Sequence, residues 1–117
     1  MATSIPRPGS PVRGSKSGKP IMALFDLLGR SWTLGIIWQL SQGNLTFRQL
    51  QEQCESVSPT VLNKRLKELK ECALVDHDGR GYLLTDLGQE LFGLLSPFGA
   101  WSQKWSRTVT SKIEDGK

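Results

Sequence analysis

The chain has 117 residues, 38% of them hydrophobic and 22% charged, which allows one domain around one core and excludes a chain too polar to fold. No apolar run approaches the roughly 18–20 residues that cross a bilayer. The N-terminus lacks the apolar segment of a secretory leader, so a cytoplasmic protein with no membrane role is expected. The formal net charge of +4 belongs to residues 1–19, where Arg7, Arg13, Lys16 and Lys19 stand without an acid. The remainder is neutral, so any case for nucleic acid rests on where its charges sit and not on their sum.

Residues 1–18 are rich in Pro, Gly, Ser and Arg. Such a segment buries little, and it is expected to be a flexible basic arm or a solvated leader. A domain over 19–107 and a frayed tail over 108–117 follow. Pro20 suits the first position of a helix that Gly29 ends, with Ile21, Leu24, Phe25 and Leu28 at helical spacing. Ser31 is the expected cap of a second helix reaching about Gln42, with Leu34, Ile37, Trp38 and Leu40 as core candidates. Thr46-Phe47-Arg48-Gln49 is a capping box flanked by Leu45 and Leu50, and predicts a short helix to about Cys54. After a turn at Glu55-Ser56-Val57, Ser58 and Pro59 open another helix as its cap and first residue. Two helices joined by so short a turn make a helix-turn-helix. Leu74–His77 and Tyr82–Leu84 read as strands around an Asp78–Gly81 hairpin turn. Thr85 caps a further helix, and Ser96-Pro97 resets the chain into a last one carrying Phe98, Trp101 and Trp105.

The helix from Ser58 to Ala73 sorts its faces. Leu62, Leu66, Leu69 and Ala73 share one stripe, and Thr60, Lys64, Lys67 and Glu71 the opposite one, with Asn63 at its edge. A recognition helix presents such short polar and basic groups to base edges in the major groove: Ser or Thr to several bases, Asn to adenine, Lys to guanine or phosphate. An ordinary solvated helix also shows Lys and Glu, and Glu68 and Glu71 offset the bases here. Order strengthens the first interpretation, because a capped helix, turn, second capped helix and hairpin follow one another as in a winged helix. Arg80 stands at the hairpin tip, within reach of phosphate or the minor groove, and Arg48 near the start of the preceding helix is a candidate phosphate clamp.

These stretches resemble the HxlR-type family of bacterial winged helix-turn-helix transcriptional regulators over about residues 19–105. Leu27–Thr33 resembles its Gly-Lys-Trp signature and Phe47–Leu50 its Phe-x-x-Leu element. Val57–Leu69 is similar to its recognition helix, Tyr82–Gly88 to its post-wing Tyr-x-Leu-Thr-x-x-Gly, and Trp101 to its closing Trp. The resemblance implies a mainly α fold with a small β-hairpin wing (α+β), dimerising through its N- and C-terminal helices. Members usually carry a Cys before the proline that opens the first helix, and some sense oxidants with it. Lys19 holds that position here, and neither Cys54 nor Cys72 replaces it. The family's wing is also longer.

The sequence shows no zinc set, no nucleophile–base pair and no phosphate-loop glycine pattern, so neither a cofactor nor enzymatic activity is expected. A homodimer on double-stranded DNA, at a pseudo-palindromic operator, is the leading expectation. Arg48, Ser58, Thr60, Asn63, Lys64, Lys67 and Arg80 would contact the DNA. Leu24, Phe25, Phe98, Trp101 and Trp105 would form a dimer interface or line an aromatic effector pocket between the first two helices and the last. A winged helix used for protein–protein contact, and a regulator responding to a small-molecule effector, remain the alternatives.

Overall fold

The structure is a computed structural model that describes residues 5–116; residues 1–4 of the expected arm and Lys117 of the tail lie outside them. Six helices and one hairpin follow in the order α1 (Pro20–Leu28), α2 (Thr33–Leu40), α3 (Phe47–Gln53), α4 (Pro59–Glu71), β1 (Val75–Asp78), β2 (Gly81–Leu84), α5 (Asp86–Leu95) and α6 (Pro97–Asp115).

Local signals explain most starts. Thr46 and Gln49 close the capping box in both directions, Gln49 N–H donating to Thr46 Oγ1 at 3.1 Å and Thr46 N–H to Gln49 Oε1 at 2.9 Å. Ser58 Oγ accepts from Val61 N–H at 3.1 Å, and Thr85 Oγ1 from Gly88 N–H at 3.0 Å. Glu55 and Ser56 both take positive φ, which makes the tight turn between α3 and α4.

One expected cap is absent. Ser31 does not cap α2; the residue before the helix is Trp32, in a left-handed conformation with φ 70°. The physical reason is a competing partner. Arg65 Nε donates to the Ser31 carbonyl at 2.8 Å and its Nη2 to Ser31 Oγ at 3.2 Å. The buried face of α2 differs as well. Thr33, Ile36, Ile37 and Leu40 lie inside, a 33-36-37-40 repeat, whereas Leu34 and Trp38 are partly exposed.

The core gathers Ile36, Ile37 and Leu40 of α2, Leu50 of α3, Leu62, Leu66 and Leu69 of α4, and Leu74, Val75 and Leu84 around the hairpin. β1 and β2 are antiparallel, pairing Val75 with Leu84 and Asp78 with Gly81. Leu45 adds a short third edge: its N–H donates to the Tyr82 carbonyl at 3.0 Å and its carbonyl accepts from Tyr82 N–H at 2.7 Å. The hairpin is thereby tied to the residue preceding α3's cap.

Both ends depart from expectation. Residues 108–115 belong to α6, which has no buried residue along its 19 residues. The radius of gyration is 16.3 Å, where a compact chain of this length would show about 13 Å. The described part of the arm folds back on the domain. Pro6 is buried, Cys72 Sγ donates to its carbonyl at 3.8 Å, and Gly9 N–H donates to the Gly18 carbonyl at 2.8 Å. Its prolines and short polar turns supply a fixed shape that composition alone does not announce. No single helix among the described residues is long and apolar enough to cross a membrane.

Candidate nucleic-acid interface

The side chains singled out for DNA stand on three neighbouring elements. Thr60, Asn63, Lys64 and Lys67 of α4 are exposed, and Leu62, Leu66 and Leu69 behind them are buried. Ala73 lies beyond the helix end, at positive φ and exposed, so the buried stripe stops at Leu69. Ser58 is exposed at the α4 start; its oxygen is occupied by the cap, which leaves its O–H able to donate. The first turn of α4 holds fewer anion-attracting donors than a helix start usually does, because Pro59 has no N–H and Ser58 Oγ takes that of Val61.

Glu68 changes the electrostatics of this helix. It was expected on the wet face, opposing the lysines, but its side chain is only 4% exposed. It accepts from Arg30 Nη1 at 2.6 Å and from Arg65 Nη1 at 3.1 Å. Arg30 also lies 3.6 Å from Asp26, and Arg13 lies 3.4 Å from the same carboxylate. Glu68 is thereby withdrawn from the exposed surface of α4, and Glu71, one turn beyond Lys67, is the acid left beside its lysines. Arg30 and Arg65 both fall in stretches that carry the family resemblance, Leu27–Thr33 and Val57–Leu69, but the pairing of Arg30 with Glu68 spans 38 positions and left no local signal.

Arg48 is exposed on α3 and reaches Glu52 at 3.7 Å, a solvated pair of small energetic weight. Arg80 is exposed at the hairpin tip, its backbone N–H donating to Asp78 Oδ1 at 2.7 Å. Asn44 Nδ2 donates to the other Asp78 oxygen at 3.3 Å, so that acid is engaged in holding the turn. His77 tilts its ring against Tyr82, with centroids 4.4 Å apart.

The second set of residues separates in space. Leu24 lines a groove of about 820 Å³ with Leu27 of α1, Cys72 and Leu74 after α4, and Leu91 and Leu94 of α5. No tryptophan lines it. Of the residues expected at an effector pocket, only Leu24 lines this groove. Phe25 is exposed on α1, and Phe98, Trp101 and Trp105 are exposed on α6, the two indoles near-parallel with centroids 6.5 Å apart. Trp38 instead meets Phe92 edge-on at 5.2 Å. Burial pushes both thiols above the ordinary cysteine range: at Cys54 the Glu55 charge adds to it, and at Cys72 burial outweighs the opposing effect of Arg30.

Residues 27–110 match the model of the HxlR-like helix-turn-helix family. The chain belongs to that family. This HxlR-like protein is 30% identical over 96 residues to an uncharacterized HTH-type transcriptional regulator of Methanocaldococcus jannaschii, covering 79% of this chain and 91% of the relative. The HTH-type transcriptional regulator YodB of Bacillus subtilis is 28% identical over 100 residues, 80% of this chain and 89% of YodB. The crystal structure of quinone-bound YodB superposes with a TM-score of 0.66 at 31% identity, covering 72% of this chain and 96% of that one. A possible HxlR family transcriptional factor from Thermoplasma volcanium gives a TM-score of 0.68 at 28% identity, over 76% and 86% of the two chains. The HxlR-like chain is a transcriptional regulator of helix-turn-helix type with a winged-helix fold.

Proposed function

We propose that this regulator binds a pseudo-palindromic operator as a homodimer, with the two α4 helices entering successive major grooves about 34 Å apart. The observation that carries this is the exposed half of α4, where Thr60, Asn63, Lys64 and Lys67 face outward while Glu68 turns inward onto Arg30 and Arg65. Thr60, Asn63 and Lys64 read base edges; Arg48, Ser58, Lys67 and Arg80 position the sugar–phosphate backbone. Selection of bound sequences from a random duplex pool, followed by gel shifts, tests it. Asn63→Ala is expected to lower the ratio of specific to non-specific binding by about 1–3 kcal/mol. Lys67→Ala should weaken all sequences alike and flatten the salt dependence. Unchanged discrimination in Asn63→Ala and Lys64→Ala would remove α4 as the reading element.

The dimer is supported by α6 and α1. Phe98, Trp101, Trp105, Val109 and Ile113 form one exposed stripe along α6, and Ile21 and Phe25 are exposed on α1. A stripe of that length has no cover within the monomer and fits a two-fold partner.

A second function is favoured by the groove beside Leu24 and by the quinone-bound state of YodB. An apolar effector would bind there without a covalent bond at the position before Pro20, which is Lys19. A thermal-shift series with quinones of graded size tests this, an unchanged melting temperature throughout counting against it.

A further inference from the structure

The folded arm brings charge to a particular place. A pocket of about 410 Å³ between the arm and the α1–α4 corner is lined by Arg13, Lys16, Asp26, Arg30, Lys64 and Arg65. Five basic side chains face two carboxylates, Asp26 in the wall and Glu68 behind it. Both carboxylates sit on Arg30, and Glu68 is shared with Arg65. Arg13 touches Asp26 at 3.4 Å yet keeps 75% of its side chain exposed, and Lys16 and Lys64 are exposed. A concavity with this excess of cationic donors suits a phosphate group.

We propose that the pocket clamps a phosphate of the DNA backbone through Arg13 and Lys16 of the arm, next to the point where Lys64 reaches the bases. This rests on the operator-binding function proposed above and extends it to residues outside the helix-turn-helix. Lys64 belongs to both surfaces: it lines the pocket and follows Asn63 on the exposed face of α4. A duplex seated on that face carries one of its strands past the pocket mouth. The charge distribution supplies the need. The chain after residue 19 is neutral and its hairpin short, whereas residues 1–19 hold four bases and no acid. The Val12–Ser15 bridge shapes the arm, and the Pro6–Cys72 and Arg13–Asp26 contacts set it against the domain, so binding does not have to order a free tail.

The test is a salt series of operator binding by the full chain, its Arg13→Ala/Lys16→Ala double variant and Lys16→Glu. Each protomer loses one clamped phosphate, so the dimer loses two, which lowers the slope of log Kd against log salt by about 1.8, at roughly 0.9 per phosphate. The ratio of selected to scrambled duplex stays as in the wild type. Lys16→Glu keeps Arg13 on Asp26 and is expected to weaken binding even if the double variant disturbs the arm. Unchanged slope and affinity in both variants, with Asn63→Ala still losing discrimination, overturn the clamp and leave the α4 assignment standing. A full chain that binds no duplex overturns both. Inorganic phosphate, titrated at constant ionic strength and followed by NMR of the arginine Nε–H groups, separates the two sources of phosphate. Saturable binding that Lys16→Glu abolishes, alongside unaltered DNA binding, would make the pocket a small-anion site and overturn the assignment to DNA.

Discussion

Glu68 shows how one side chain sets the character of a surface. On a helical wheel it lies about 120° from Leu62, outside the buried stripe of α4, where spacing alone would leave it in water. Arg30 reverses this, donating at 2.6 Å from a guanidinium that is itself 8% exposed. Glu68→Ala removes the acceptor that Arg30 and Arg65 share, while Arg30 keeps Asp26 and Arg65 keeps Ser31, and is expected to cost about 1–3 kcal/mol in urea unfolding. A loss below about 1 kcal/mol would mean that solvent already screens the pair. The cysteines give a second prediction at this scale. Burial raises both thiol pKa values, so little thiolate is present at neutral pH. Iodoacetamide should label the native chain slowly and the unfolded chain quickly. Because the folded pKa values are raised, this contribution to stability is complete below the unfolded value of about 8.5 and is lost as pH rises through the folded ones. Thermal scans from pH 8 to 10 should show a falling melting temperature, and replacing both thiols with Ala should make that fall shallower.

At the scale of elements, the wing depends on one backbone position. Gly81 has φ +124°, and a Cβ there would run into the Leu45 carbonyl. Gly81→Ala therefore strains the strand and breaks the Leu45–Tyr82 pairing that ties hairpin to α3; about 1–3 kcal/mol of stability should be lost. Faster amide exchange at Tyr82, with α6 unaffected, would locate the effect. The capped starts of α3, α4 and α5 were legible in the sequence because each cap is made within four residues of chain. The hairpin and element order were legible for the same reason. What was not legible depends on distant partners. Ser31 loses its capping role to Arg65, the α2 face follows α3, α5 and the hairpin, and the arm's position follows from contacts to Cys72 and Asp26. α6 read as a frayed end after Thr108 because its polar residues outnumber the stripe of Val109 and Ile113 that continues from Trp105.

At the scale of the whole molecule, α6 makes association testable apart from folding. No residue of α6 is buried, so substitutions on its stripe leave the core of α2, α3, α4 and the hairpin intact. Trp105 is 55% exposed. Covering that exposed part in a dimer removes on the order of 100 Å² of apolar surface per copy, or about 2–3 kcal/mol. A two-fold interface counts it twice, so Trp105→Ala should raise the dimer Kd by on the order of a thousandfold or more. Sedimentation at micromolar concentration should then give a monomer whose urea midpoint, measured at equal protein concentration, falls only by the lost association. The consequence for DNA follows from geometry. A monomer presents one α4, so half-site binding survives while affinity for the full operator collapses towards that of one half-site. If Trp105→Ala leaves the sedimentation coefficient of the wild type unchanged, the α6 stripe is not the dimer contact, and the cover for these aromatic rings must come from another partner.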